Sequence, residues 1–343
     1  MKNWKRTLAF SLSAVMMVGS LAACGSKPAA SAAPAASKAA DEASAAPTSD
    51  FPGGKQINLI IQANPGGLSD TNARAIAQLV QDDLGVPVVC QNKPGASGAV
   101  AMSYLQASAA DGYTIGYLPV ELTMVQSLGY ASDIQPDAFD LIYGCNIQPA
   151  AITVRADSGW NSIEDLVAYC KENPGALKVG TSGTGSIWHI AGDAFAQAAE
   201  LDVNMVPFDG AAPAVTGLLG GHVDMVPVSE SEVASGVASG ELKILAVCSA
   251  DRSTFNPDVP TLQELGFDVD VTAWGGFGLP KGTPDDVKEV LYASFEKAVN
   301  SDTFKELAAS KEYSPMLKDH TEFAAFAEEQ YAFYKDYFAA QEG

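Results

Sequence analysis

The sequence is poor in basic residues and has no long apolar run, and each shortage excludes a class of function. Only 20 of its 343 residues are Lys or Arg, against 41 Asp and Glu, so the formal net charge is -21. This charge repels nucleic-acid phosphates and anionic lipid surfaces, which excludes a DNA or RNA role. The longest apolar run, Leu8 to Ala23, has 16 residues and contains three serines. It is too short and too interrupted for a membrane-spanning helix, so a channel is excluded.

The N-terminus has the three-part pattern of a secretory signal peptide. A basic start and an apolar stretch precede Leu21-Ala22-Ala23-Cys24-Gly25. The cysteine after small residues resembles a bacterial lipobox, which predicts cleavage of residues 1–23 and lipidation of Cys24. An ordinary signal peptide with an incidental cysteine is the alternative. Residues 24–50 contain little that could be buried, so the lipidated cysteine and a disordered tether are expected to hold the protein on the outer face of the cell membrane.

Histidine and cysteine offer little for catalysis or metal binding. The three histidines leave few candidates for a Ser-His-Asp triad or a zinc site. Cys90, Cys145, Cys170 and Cys248 lie in apolar or helical contexts without C-x-x-C spacing. Buried free thiols are the simpler interpretation, although an exported protein can form disulfides and the sequence does not decide the pairing. We therefore predict no metal and no cofactor.

Short apolar strands alternate with helical segments from Lys55 onwards, which predicts an α/β fold with a parallel sheet and helices on both faces. Strands are expected at 57–61, 86–90, 113–118, 151–154, 177–180, 204–206, 223–228, 243–248 and 274–280. Helices are expected at 69–83, 97–109, 162–172, 186–200 and 211–219, with a helical tail over 284–343 that begins with Thr283 as N-cap. Two α/β units on a tether suggest a solute-binding receptor, but an α/β hydrolase would look similar.

Three loops that run from a strand into a helix are rich in glycine and small hydroxyl residues. Such loops bring main-chain amides close to a ligand, and the helix dipole favours a carboxylate there. The loops supply the candidate contacts Gly66, Gly67, Leu68, Ser69 and Asp70, then Ser182, Gly183, Thr184, Ser186 and His189, then Asp209 and Gly210. The absence of an evident catalytic pair points to binding rather than turnover.

Each candidate has an alternative role. The first loop could be a plain turn in which Ser69 or Asp70 caps the helix and Asp70 pairs with Arg74, four residues on. His189 could brace the second loop rather than contact ligand. Asp209 could cap the helix that begins near residue 211 and point away from the ligand.

The order of motifs from residue 51 to the C-terminus resembles the Bug-type substrate-binding receptors of tripartite tricarboxylate transporters. The motifs are Pro-Gly-Gly-x-x-Asp at 65–70, Leu-Gly-x-Pro-Val-Val at 84–89, Asn-Lys-Pro-Gly-Ala-Ser-Gly at 92–98, Ala-Asp-Gly-Tyr-Thr at 110–114, Asn-Pro-Gly at 173–175, Ser-Gly-Thr-Gly-Ser-x-x-His at 182–189, Ala-Pro-Ala at 212–214, Leu-Leu-Gly-Gly-His-Val-Asp at 218–224, Val-Pro-Thr-Leu-x-Glu-x-Gly at 259–266, Trp274 and Gly-Thr-Pro at 282–284.

The resemblance implies a periplasmic-binding-protein fold with a ligand cleft between two α/β lobes. Lobe one would comprise 51–152 plus 272–343, and lobe two 153–271. It implies a monomer without enzymatic activity, which binds small carboxylates through loop amides, hydroxyls and water. The partners would be a large and a small membrane subunit of the transporter. A sensing receptor with a signalling partner is one alternative, and a secreted hydrolase that uses Ser182, Ser186 and His189 is another.

The sequence departs from the family pattern at two places. Phe208-Asp209-Gly210 replaces the frequent Tyr-Lys-Gly, and Glu121 stands where small polar residues are common. Both changes add negative charge near the expected cleft. We therefore expect Glu121 among the ligand contacts, and a monocarboxylate or an amino acid as the ligand rather than a tricarboxylate.

Overall fold

The computed structural model describes residues 50–341, which form one ten-stranded sheet with helices packed on it. The strands are β1 Ile57–Ile61, β2 Val88–Asn92, β3 Thr114–Pro119, β4 Phe139–Arg155, β5 Lys178–Thr181, β6 Asn204–Pro207, β7 Met225–Ser229, β8 Leu242–Val247, β9 Thr272–Pro280 and β10 Ser314–Lys318. The helices are α1 Leu68–Leu84, α2 Ala99–Gln106, α3 Ile163–Glu172, α4 Ile187–Ala198, α5 Ala211–Leu219, α6 Glu230–Ala238, α7 Asp285–Asn300, α8 Asp302–Ser310 and α9 His320–Gln341. The predicted signal peptide, Cys24 and the tether up to residue 49 lie outside the described residues.

The long strand β4 divides the sheet into two halves. Its first part pairs antiparallel with β9 and β10, while its last part, from Ala150, pairs antiparallel with β7 and β8. The first half contains β1, β2, β3, β9 and β10, and the second half contains β5, β6, β7 and β8. Each half contains a group of parallel strands. In the first half β1 pairs with β2 and β3, and in the second half β5 pairs with β6 and β7. The carboxyl ends of these strands therefore face the junction of the halves.

Apolar periodicity accounts for how the helices dock on the sheet. Helix α1 buries Ala73, Ile76, Ala77 and Val80, which are spaced i, i+3, i+4 and i+7 and lie on one face. Full burial of a side chain such as Ile76 contributes about 2–3 kcal/mol. Helix α1 therefore docks through this apolar face.

Glycines in β9 leave space for two aromatic side chains, Tyr117 of the neighbouring strand β3 and Phe323 of α9. A Cβ atom on Gly276 would lie 2.4 Å from the ring of Phe323, a residue of α9. A Cβ atom on Gly275 would lie 2.0 Å from the hydroxyl of Tyr117. With these positions clear, Phe323 packs edge-on against Trp274 with 5.6 Å between the ring centroids. Helix α9 thereby fixes Trp274 at the junction of the halves.

The structure corrects several predictions. The sheet is mixed rather than parallel, because β9 returns between β3 and β4. Strand β4 has 17 residues, whereas only four were predicted, because polar residues interrupt the apolar pattern of its sequence. The strand nevertheless pairs with β7, β8, β9 and β10, and most of its residues are buried. Helix α6 was not predicted, and strand β10 interrupts the predicted helical tail, which otherwise consists of α7, α8 and α9. Pro284, not Thr283, is the N-cap of α7, and the Thr283 hydroxyl donates instead to the Pro280 carbonyl at 2.9 Å.

Two further observations concern the described part of the chain. The thiols of Cys90, Cys145, Cys170 and Cys248 are free; Cys90 is half-buried and the others are buried. Among residues 50–341, no helix has both the length and the apolar character that crossing a bilayer requires.

Candidate functional site

A cavity of about 1250 Å³ lies where the two halves of the sheet meet. Loops at the carboxyl ends of strands from both halves line it, together with residues of β4 and β9. This is the position at which open α/β sheets bind ligands. None of the described residues that line the cavity is Lys or Arg, whereas Glu121, Asp209 and Glu232 are acidic.

Most of the predicted contact residues lie on the wall of this cavity. They are Gly67, Leu68, Ser69, Glu121, Ser182, Gly183, Thr184, Ser186, Asp209 and Gly210. Gly66, Asp70 and His189 lie outside the lining and support the loops instead.

Asp70 stabilises the first loop from a position outside the cavity lining. Its side chain is 6% exposed, and it accepts hydrogen bonds from the Gly66 amide at 3.0 Å, from Arg74 Nε at 2.9 Å and from Asn92 Nδ2 at 2.8 Å. Burial raises the pKa of Asp70, but these hydrogen bonds, first that of Arg74, outweigh burial and hold the pKa below its ordinary value. The predicted pair with Arg74 is confirmed, while the predicted cap is wrong: Gly67 is the N-cap of α1 and no side chain caps it.

Ser186 organises the second loop. It is the N-cap of α4, and its hydroxyl accepts from the His189 amide at 3.3 Å and from the Ser182 hydroxyl at 2.8 Å. The imidazole of His189 lies 3.5 Å from the Thr181 hydroxyl and 3.5 Å from Asp193. His189 therefore braces the end of β5 and the first turns of α4.

The third loop presents Asp209 to the cavity. Gly210, with φ of +118°, is the N-cap of α5, and no side chain caps this helix, so the alternative role of Asp209 as a cap is wrong. The Asp209 side chain is exposed, and its main-chain carbonyl accepts from Asn64 Nδ2 at 2.9 Å.

The N-termini of three helices converge on the cavity. The lining includes the first residues of α1, of α4 and of α5. The first amides of a helix have no acceptor within the helix, and the helix dipole makes this end favourable for anions. At the N-terminus of α4 the first amide already has an acceptor, because the Ile187 amide donates to the Glu121 carboxylate at 3.2 Å.

Glu232 is a second half-buried carboxylate in the wall, which sequence reasoning missed. It belongs to the capping box of α6 and accepts from the Ser229 amide at 3.2 Å and hydroxyl at 2.9 Å. Burial is the main cause that raises its pKa to about 7, and the nearby charge of Glu121 adds to the effect, although hydrogen bonds oppose it. Burial likewise raises the pKa of Glu121. The Ser-x-x-Glu spacing at 229–232, directly after an apolar strand, could have revealed Glu232.

A buried polar floor from β3 and β4 was also missed. The Tyr117 hydroxyl donates to Asn146 Oδ1 at 2.6 Å, and the Ser231 hydroxyl donates to Gln148 Oε1 at 2.8 Å. Asn146 and Gln148 point into the cavity wall from the part of β4 that was not predicted as a strand. Polar residues spaced by two in an otherwise apolar run would have been the signal.

A cleft between two halves of a sheet, with helix N-termini from both halves in its wall, defines a solute receptor of the periplasmic-binding-protein type. The sequence matches the family described as "Tripartite tricarboxylate transporter family receptor" over residues 72–339, and the chain belongs to this family.

Individual relatives agree with this placement. Protein BugT of Bordetella pertussis is 33% identical over 283 residues, which cover 80% of this chain and 85% of that protein. The crystal structure of a TctC solute-binding protein from Polaromonas, without ligand, is 34% identical with a TM-score of 0.67, and the match covers 85% of this chain and 99% of that one. The structure of R. palustris Rpa4515 with adipate is 25% identical with a TM-score of 0.77, covering 84% and 97%.

Proposed function

We propose that the protein is an exported receptor that captures a small carboxylate and delivers it to a secondary transporter of the tripartite tricarboxylate type. The observation that carries this proposal is that the N-termini of three helices converge on the cavity. Among the described residues that line this cavity, none is Lys or Arg. Main-chain amides and hydroxyls then provide the positive potential for a carboxylate. Family membership and the adipate described in Rpa4515 support the ligand class.

The ligand carboxylate is proposed to bind between the starts of α1 and α5. The amides of Leu68 and Ser69 begin α1, and those of Ala211 and Ala212 begin α5. The start of α4 is less suitable, because the Ile187 amide already donates its hydrogen bond to Glu121. We propose that residues 51–152 plus 272–343 and residues 153–271 act as two lobes that close when the ligand contacts both loops.

The chemistry of the second loop argues against a hydrolase. A serine nucleophile needs a base within hydrogen-bond reach of its hydroxyl. The hydroxyl of Ser182 instead donates to that of Ser186, while the imidazole of His189 faces Thr181 and Asp193. The arrangement is suited to holding a loop rather than to forming an acyl-enzyme.

A charge introduced at α5 tests the binding site. Ala212 is exposed and lies in the first turn of α5, where an acidic residue suits the helix dipole. Ala212→Asp is therefore expected to fold, yet to weaken carboxylate binding by up to about 100-fold, since like charges about 5 Å apart repel strongly. The neutral Ala212→Asn variant is the matched control. Thermal shift and calorimetry with mono-, di- and tricarboxylates and amino acids provide the readout, and equal affinities in the two variants would contradict the site.

Membrane attachment is proposed to depend on Cys24. The chain would act as a monomer tethered beside the large and small transporter subunits. Cys24→Ser is expected to shift the protein from the membrane fraction to the soluble exported fraction, and to abolish labelling by a fatty-acid analogue. Membrane retention of the variant would contradict the lipid anchor.

A further inference from the structure

Glu121, Glu232 and Trp274 line the same cavity, and the region to which strand pairing brings them is called here the corner. We propose that the solute carries a protonated amine as well as a carboxylate, and that the amine binds between Glu121 and Glu232 beside Trp274. This inference rests on the proposed function and narrows the ligand class from carboxylates to amino carboxylates.

Strand pairing places these three side chains in one region. Trp274 lies in β9, where the next residue, Gly275, pairs with Pro119, two positions before Glu121. Trp274 itself pairs with Ile147 of β4. Further along β4, Ala150 pairs with Ser229, the residue that binds the carboxylate of Glu232. All three side chains line the same cavity.

The corner has negative charge without a cation to balance it. Among the described residues, neither Glu121 nor Glu232 forms an ion pair, and no Lys or Arg lines the cavity. Each carboxylate is partly removed from water, and the two charges are close enough for Glu121 to raise the pKa of Glu232. A ligand ammonium group would offset both the desolvation and the mutual repulsion.

Further support comes from two buried polar atoms without a partner, which belong to residues that line the same cavity. Trp274 is 2% exposed, and its indole Nε1 has no hydrogen-bond partner among the described residues. The side-chain oxygen of Gln62, another lining residue, is also buried without a partner. Buried polar atoms of this kind normally have a hydrogen-bond partner. The indole N–H is therefore left to donate to an oxygen of a bound molecule, and the Gln62 oxygen is left to accept from one of its N–H groups.

The same corner rejects a second ligand carboxylate. Glu121 already accepts the Ile187 amide, which is the group that would otherwise bind such an anion at the start of α4. An approaching carboxylate would meet the repulsion of Glu121 and Glu232, and the Ile187 amide is already bonded to Glu121. Selectivity for amino acids over dicarboxylic acids therefore follows from repulsion as well as attraction.

Matched ligand pairs test the inference by calorimetric titration of the mature protein. The probes are α-, β- and γ-amino acids, each paired with the acid that lacks the amine, such as glutamate with glutarate and alanine with propionate. At least one amino acid is expected to bind at least about tenfold more tightly than its partner acid. The reason is the attraction between its ammonium group and two carboxylates, each assumed to lie about 5 Å from it. Glu121→Gln and Glu232→Gln are each expected to remove most of that preference, because the amine loses a facing charge and a diacid such as glutarate meets less repulsion.

Glu230→Gln is the control, because Glu230 begins the same helix as Glu232 and is buried outside the cavity lining. It is expected to retain the preference. If one variant fails to fold, as judged by circular dichroism, the other still decides the question. Tighter binding of the acids than of all the amino acids, or an unchanged preference in both variants, would overturn the amine site and leave the receptor function standing. Failure of every carboxylate to bind would overturn both.

Discussion

The Glu121 carboxylate accepts a hydrogen bond from the Ile187 amide across the cleft, at 3.2 Å. Glu121 follows β3 in the first half of the sheet, and Ile187 begins α4 beside the second half. The contact is one of several between the walls: Ser97 and Tyr130 each donate to the Thr184 carbonyl at 3.2 Å. These bonds join the two walls of the cleft directly.

Removal of this acceptor is expected to open the cleft. In the ligand-free state Glu121→Ala loses the bond to Ile187, so the population shifts away from the arrangement in which the walls touch. Small-angle scattering should give a larger radius of gyration for Glu121→Ala than for the wild type. Glu121→Gln keeps an acceptor oxygen and is the control. Identical scattering for all three proteins would show that the bond does not influence closure.

Asp70 is expected to contribute to stability at neutral pH. Because its folded-state pKa is lowered, the contribution is present above the unfolded pKa and is lost as the pH falls through the folded pKa. Asp70→Asn should lower the free energy of unfolding by about 1–3 kcal/mol at pH 7, the usual range for weakening a buried, charged hydrogen-bond network. Urea denaturation measures this, with exposed Asp82→Asn as control. An equal loss at pH 3 would contradict the electrostatic cause.

Glu232 is expected to make stability depend on pH in the opposite direction. Burial raises its pKa from 4.5 to about 7, so its contribution is complete below pH 4.5 and is lost as the pH rises through 7. Glu232→Gln cannot ionise, and its melting temperature relative to the wild type should therefore rise between pH 5 and pH 8. The exposed variant Glu172→Gln should show no such trend. A constant difference for Glu232→Gln across this range would refute the raised pKa.

Asp209 is expected to disfavour ligands with several carboxylates. Its side chain lies in the cavity wall and does not cap α5. Asp209→Asn should increase the affinity for citrate by about tenfold, less than full repulsion at 5 Å implies because the side chain is exposed. Asp202→Asn, exposed and outside the cavity lining, is the control in the same calorimetric titration. Tight citrate binding by the wild type would contradict this role of Asp209.

Much of the fold follows from sequence periodicity. Strand β1 and helix α5 have the predicted bounds, and the remaining predicted segments from 57 to 280 overlap observed elements of the same type. Strand β4 was mostly missed because it carries Asn146 and Gln148 among apolar residues, and these are the residues that form the cavity floor. The polar residues that made this strand hard to predict are therefore residues of the candidate site.

Predictions about the site were limited by long-range contacts. Local spacing put Gly67, Ser69 and Ser186 in loops at the ends of strands, and these residues line the cavity, while their contact with ligand stays a prediction. It predicted the pair of Asp70 with Arg74, but it did not reveal that Asp70 also accepts hydrogen bonds from the Gly66 amide and from Asn92. Nor could it bring Glu121 to the start of α4, since that contact joins residues 66 positions apart.

The crystal structure of the mature protein with its co-purified or titrated solute would test the central claim most directly. A ligand carboxylate is predicted at the N-termini of α1 and α5, in contact with residues of both halves of the sheet. Density for a ligand without an acidic group, or for one bound away from these two helix starts, would contradict the account.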